Sequence, residues 1–298
     1  MKYGRRAPTN APALKLSTVL KSVQIPTHPA IADYGSVIND WQMLGNDQYG
    51  DCVAVTWANN RYLVTKYLAD TPVYPDYDKV IEFYKTQNPN FPADDAGMVI
   101  QDALDYLRKN GGPDGVKAVA FAKVDTSNIE EVRAAAAIFG SIWYGINVTA
   151  ANEQEFDRGQ AWDVVSHSQI LGGHGIAGVG YDPDVRFVTW GEETEFTDRF
   201  VTSNQMEEAW VVIYPEHFGT KAFMEGVDLN ALKAAFKSIT GEDLPTPDDP
   251  TPTPDPGAAS FQVTDTVAQT HITNSAKRAK LTVEQWMNHH FDKYFDID

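Results

Sequence analysis

The chain has 298 residues, 43% of them hydrophobic, which is enough to fill the core of one large domain or two ordinary ones. Its formal net charge of −17, with 41 acids against 24 Lys and Arg, argues against nucleic acid as a partner, because neutralising phosphates needs clustered cations. The charge reads as solubility, with attraction of a basic partner as the alternative. No stretch approaches the roughly 20 apolar residues of a membrane span, and Met1-Lys2-Tyr3-Gly4-Arg5-Arg6 leads into a Pro/Ala/Asn segment without the apolar core of a secretory signal. Cytoplasmic synthesis and no membrane partner are expected, the final location being open. The single cysteine excludes an internal disulfide.

Residues 1–30 are Pro/Ala-rich with little period and read as an extended arm lying on a surface, either the protein's own or a neighbour's. After an irregular lead-in, the polar and glycine-containing run 45–51 reads as a loop. Apolar residues at helical spacing then predict a helix over about 52–69, with Val53, Trp57, Asn60, Val64 and Leu68 on one stripe. Further helices are expected at about 78–86 and 97–109, the latter opened by 94–98 and stopped by Asn110-Gly111-Gly112-Pro113. A strand at 116–124 and a short helix from Ser127 through Ala137 follow, and 140–148 is β-rich. Residues 150–171 read as a loop anchored by Phe156 and Trp162. Two strands, about 174–181 and 185–190, are joined by the turn Asp182-Pro183-Asp184; a polar stretch 192–208 precedes a third, 209–214. An amphipathic helix closes the domain at 228–239.

Helices come first and antiparallel strands second, so the expected class is α+β, with an N-terminal helical lobe and a C-terminal antiparallel β lobe. The expected organisation is an arm at 1–30, a main domain at 31–243, a Pro/Thr/Asp-rich semi-rigid linker at 244–257 and a small segment at 258–298. In that last segment Thr282-Val283-Glu284-Gln285 forms a capping box ahead of an aromatic-rich helix. The arm and this tail are candidate attachment points for a partner protein.

Cys52 stands where the loop becomes a helix, and the unpaired N–H groups and positive dipole end of a first turn favour a thiolate over a thiol. The bland alternative is a small buried hydrophobe. A reactive cysteine needs a base, usually a histidine distant in sequence. His28, His167, His217 and His271 lie in polar or Pro-flanked contexts and read as surface residues, as do His289 and His290 on the tail. His174 differs: Leu171-Gly172-Gly173-His174-Gly175-Ile176-Ala177-Gly178-Val179-Gly180-Tyr181 sets it at the start of a strand of small residues that lets backbone or substrate approach. No cysteine cluster and no His pair at ligand spacing is present, so neither a metal nor another cofactor is expected.

A cysteine at a helix N-terminus, a distant Gly-His-small-apolar strand ending Val-Gly-Tyr and a hairpin return ending Trp-Gly together resemble the papain-like cysteine peptidases over roughly residues 28–214. Gly45-Asn46-Asp47 with Tyr49-Gly50-Asp51-Cys52, and Phe187-Val188-Thr189-Trp190-Gly191, are more similar still to a papain-like group of actinobacterial phages and prophages. The resemblance implies a hydrolase of protein or peptide substrates, a thiol protease, with Cys52 as nucleophile and His174 as general base and then acid. It implies an oxyanion-hole amide six residues before the cysteine, where Asn46 stands in place of the usual Gln, with Gln48 as an alternative donor. Trp190 would shield the histidine. The third-member position, normally Asn, is Val188; Thr189 is expected on the other face of its strand, and Asp182 or Glu192 are loop candidates for reaching the imidazole. Asp51 is expected to help cap the helix while its charge opposes thiolate formation. The alternative function is a weak or inactive papain-like scaffold in a virion or other assembly, attached through 1–30 and 258–298.

Overall fold

The helix that begins at the cysteine is the element against which both lobes pack. The structure, a computed structural model, describes residues 2–9, 11–21, 25–69 and 71–246. In chain order it forms β1 (Leu14–Lys15), β2 (Ala32–Asp33), α1 (Cys52–Leu68), α2 (Tyr77–Tyr84), α3 (Ile100–Lys109), β3 (Ala120–Lys123), α4 (Ile129–Phe139) and β4 (Ile142–Thr149). Then come α5 (Ala150–Asp157), β5 (Ile170–Tyr181), β6 (Val185–Thr189), β7 (Glu192–Phe196), α6 (Asp198–Val201), β8 (Met206–Ile213), α7 (Lys221–Gly226) and α8 (Leu229–Thr240). The described residues form one α+β unit, as expected; residues 247–298, with most of the expected linker and the whole tail, lie outside them.

α1 is buried around its circumference from Cys52 to Thr65, polar residues included. A buried cation there is tolerated only if it is paired. Arg61 meets Asp114 at 2.6 Å and Glu216 at 2.8 Å, and its guanidinium lies 4.2 Å from the centre of the Tyr214 ring. This helix is therefore central rather than amphipathic, and the loops carrying Asp114 and Glu216 are tied to it.

The sheet runs β1-β3-β8-β4-β5-β6-β7, with β2 added to β5; every pairing is antiparallel except β1 with β3. Phe187, Phe196 and Phe200 stack in series, with ring centres 3.9 Å and 4.6 Å apart, against a fully buried Trp162. That cluster fixes the β5–β6–β7 end of the sheet on which the histidine sits.

Several elements depart from the expectations. The stretch 150–171 opens with α5, whose capping box joins Thr149 and Asn152, and 192–208 contains β7 and α6. Composition hid them because each is short and polar, and packing supplies what propensity does not. α3 starts at Ile100 rather than 97, since Gly97 has φ +78° and cannot lie inside a helix. The arm is part of the fold: β1 pairs with β3, and Leu16 and Val19 are fully buried in the core.

Candidate active site

Glycine at 175 sets how closely helix and sheet approach. A Cβ there would lie 3.0 Å from Val53 Cγ2, so only glycine lets α1 settle directly on β5. The Cys52 sulfur then lies against the residue after His174 and accepts a hydrogen bond from the Gly175 N–H at 3.3 Å. Cysteine and histidine, far apart in sequence, are thereby brought to the same place.

His174 is fully buried. Its Nε2 lies 2.7 Å from Thr189 Oγ1, while Nδ1 has no hydrogen-bond partner. Thr189 thus occupies the orienting position, and the expectation that it faces away is wrong. Register explains why: Ala177 pairs with Val188 and Gly178 with Phe187, so the face carrying His174, Ile176 and Gly178 is shared by Phe187 and Thr189. Val188 belongs to the opposite face. Neither Asp182 nor Glu192 bonds the imidazole.

Trp190 and Gly191 form the two-residue turn between β6 and β7, Thr189 pairing with Glu192, and both have positive φ, +48° and +78°. This is the primed turn that matches strand twist, and a tryptophan in that conformation is strained. Its ring stacks on His174, centres 5.0 Å apart at 27°.

On the other side of the thiol, Asn46 is buried with its Oδ1 unpartnered, whereas Gln48 is exposed. Burial favours Asn46 of the two. Asp51 does not cap α1: its side chain makes no cap bond, and both carboxyl oxygens are buried without partners. Burial pushes its pKa up to about 8, Asp95 and Asp47 adding to the effect, and since the thiol is held higher still, Asp51 is ionised where the thiol titrates and its charge opposes the thiolate, as expected.

The cleft over these residues is occupied by the chain's own start. The Arg5 N–H donates to Gly173 O at 2.9 Å on the β lobe; the Arg6 N–H donates to Met98 O and the Met98 N–H to Gly4 O, both at 2.8 Å, on the helical lobe. The Tyr3 ring stands edge-on to His174 with centres 5.9 Å apart. Under this cover Cys52 has no exposure, and burial raises its thiol to about 11, against the lowering effect of the Gly175 and Gly4 N–H groups. His174 is pushed down to about 3 by burial and by the nearby Arg5 charge. In the covered state the pair is a neutral thiol and a neutral imidazole.

The remaining histidines divide. His217 is fully buried, not a surface residue: its Nε2 meets Phe139 O at 3.0 Å and its Nδ1 accepts from the Tyr214 N–H at 3.0 Å, a structural role. His28 is partly exposed beside Glu130 and Tyr181, and His167 is exposed; His271, His289 and His290 lie outside the described residues. Among the described residues no group of three or more His, Cys, Asp or Glu could hold a metal, and no helix is long and apolar enough to cross a membrane. Sequence reasoning misplaced Thr189, because parity along β6 alone does not say which of its faces meets His174; the register with β5 does. It also missed Lys2 to Arg6, whose signal is a cationic cluster with a glycine in a strongly acidic chain.

No family model and no curated protein matches this sequence. The fold has solved counterparts. Xylellain, a cysteine protease from Xylella fastidiosa, superposes with a TM-score of 0.55 at 17% identity, covering 71% of this chain and 95% of that one. Digestive procathepsin L 3 of Tenebrio molitor larval midgut gives 0.51 at 10% identity, over 71% and 77% of the two chains. The chain has the papain-like fold.

Proposed function

We propose that this chain is a papain-type thiol peptidase that hydrolyses amide bonds of a protein or peptide through an acyl-enzyme on Cys52. The observation that carries the reading is the arrangement of Cys52 in the first turn of α1 against a strand whose His174 is held at Nε2 by Thr189 and free at Nδ1. With Nε2–H donating to Thr189 Oγ1, Nδ1 is the basic nitrogen. It takes the thiol proton, the sulfur attacks the substrate carbonyl carbon, and the carbon–nitrogen bond breaks as Nδ1 returns the proton to the leaving amine. Water, deprotonated by Nδ1, then hydrolyses the thioester and releases the acid. The Cys52 N–H, which has no intrahelical acceptor in a first turn, and the Asn46 amide are the candidate donors to the oxyanion. Trp190 keeps water from the face of the imidazole.

A scaffold role is favoured by one observation, the covered cleft with its neutral pair. Kinship with the phage and prophage group rests on the wording of 45–52 and 187–191, and attachment through 258–298 on composition. The deciding experiment is hydrolysis of a fluorogenic peptide library by protein whose cleft has been opened by proteolysis or mild denaturant, with Cys52→Ala as control. Turnover lost in Cys52→Ala supports the peptidase. An opened cleft whose thiol reacts with a peptidyl epoxide while no peptide is cut supports the scaffold.

A further inference from the structure

Beside His174, strands β4 and β5 each omit a side chain, and the gap they leave is ringed with oxygen. A Cβ on Gly145 would lie 2.5 Å from Glu208 Cγ, and one on Gly173 would lie 3.0 Å from Arg5 Nη2 and 3.1 Å from Arg5 Nε, so the notch depends on glycine at both positions. Its walls offer two carboxylates of β8, Glu207 and Glu208, with Asn147 Oδ1 and the Ile146 carbonyl of β4. The Glu208 side chain has no exposure, and Trp210 Nε1 donates to its Oε2 at 2.7 Å, which leaves Oε1 for the notch. The Arg5 guanidinium fills this space. Its Nη2 pairs with Glu207 and donates to Asn147 Oδ1 at 3.1 Å and Ile146 O at 3.3 Å, while Nη1 lies 3.4 Å from Glu208 Oε1.

We propose that this notch is a specificity subsite for arginine, so that the peptides taken by the Cys52–His174 site carry a guanidinium close to the bond that is cut; this rests on reading that site as a peptidase. Any peptide that reaches the sulfur lies where residues 4 and 5 lie, since the Gly4 N–H acts on the Cys52 sulfur and the Arg5 N–H is bound to Gly173 O, next to His174. Arg5 therefore leaves the notch whenever substrate occupies the site, and the carboxylates stay behind on their strand. A buried carboxylate left unpaired is costly, so the emptied notch favours another cation. Arginine suits it better than lysine: a planar guanidinium meets Glu207 and Glu208 with different nitrogens, and a single ammonium cannot serve both. An apolar side chain would leave Glu207, Glu208 Oε1 and Asn147 Oδ1 facing it without a donor.

The test uses the full chain with Arg5→Ala, which empties the notch without shortening the protein, and its melting temperature confirms that it is folded. If it is not, wild type with its cleft opened by proteolysis takes its place. The probes are short peptides alike except at one residue, which is arginine, lysine, norleucine or citrulline, the neutral near-isostere of arginine. Binding is read by calorimetry and cleavage by mass spectrometry. The arginine peptide is expected to bind roughly 30-fold or more tighter than the citrulline and norleucine peptides, with lysine between them. Adding Glu207→Gln and Glu208→Gln together should erase that preference. Equal binding of the arginine and citrulline peptides overturns the proposal, as does an arginine preference that survives loss of both carboxylates. Preferential binding of arginine with no peptide cut leaves the notch standing and removes the peptidase reading beneath it. Cleavage indifferent to arginine, with binding equally indifferent, does the reverse.

Discussion

Thr189 holds His174: its hydroxyl oxygen lies 2.7 Å from Nε2, in a buried site where the other ring nitrogen has no partner. A hydroxyl can accept the N–H that leaves Nδ1 basic, so it does the work of an amide carbonyl from the neighbouring strand position. On the proposed peptidase reading, Thr189→Val, nearly isosteric, is expected to lower kcat/KM of the protein with its cleft opened by about 10- to 100-fold, mostly in kcat, with Thr189→Ser recovering most of it. It should also lower stability by about 1–2 kcal/mol, from an unsatisfied buried nitrogen. A purely structural threonine would lower the melting temperature and leave kcat intact.

The state of the thiol should follow the cover above it. In intact protein the pH dependence of Cys52 alkylation is expected to rise toward about 11, because burial holds the proton on the sulfur. Once the cleft is open, water reaches both groups, His174 regains the ability to hold a proton, and the inflection should move to lower pH. An inflection unchanged by opening would mean that the core, and not residues 2–6, desolvates the sulfur.

Asp51 makes stability depend on pH in an unusual sense for a carboxylate. Its folded pKa of about 8 lies above its unfolded value, so between about 4 and 8 the folded state binds more protons, and stability falls as pH rises through that window. Asp51→Asn cannot ionise and should remove this component. Denaturation of both proteins at pH 5 and pH 8 should show the Asp51→Asn variant gaining on wild type at the higher pH, by an amount on the order of a few kcal/mol.

Phe187 lies at one end of the stacked aromatic series behind the histidine strand, fully buried, on Phe196 and against Trp162. Phe187→Ala is expected to cost about 3–5 kcal/mol in chemical denaturation. Because the cavity would open under Thr189 and Trp190, activity should fall even at temperatures where the variant is folded.

The helix at Cys52, the histidine strand and the order of helices before strands were legible because each rests on a local signal: polar loop into apolar period, glycines around a histidine, turn residues between alternating runs. Thr189 was lost through a parity argument made on one strand alone. Which face of β6 meets His174 is set by the pairing of Val188 with Ala177, a relation between two strands that neither spells out. α5, α6 and β7 were lost because eight polar residues or fewer carry no period that competes with a loop reading. The first residues looked featureless for a related reason: Lys2, Tyr3 and Arg5 take their meaning from Asp95, Glu153, Glu207 and Glu208, all distant in sequence.

Those pairings also give the cleft an electrical balance. Lys2 and Arg5 act as built-in counterions in a chain of net charge −17, and Arg5 sits beside Glu208, whose carboxyl burial holds above its usual range. The two should respond differently to added salt. The half-exposed Lys2 contact is open to screening over a Debye length of about 8–10 Å, whereas the Arg5 notch is shielded from mobile ions. Raising ionic strength would thus loosen residues 2–3 while residue 5 stays seated, so the two contacts would give way at different salt concentrations.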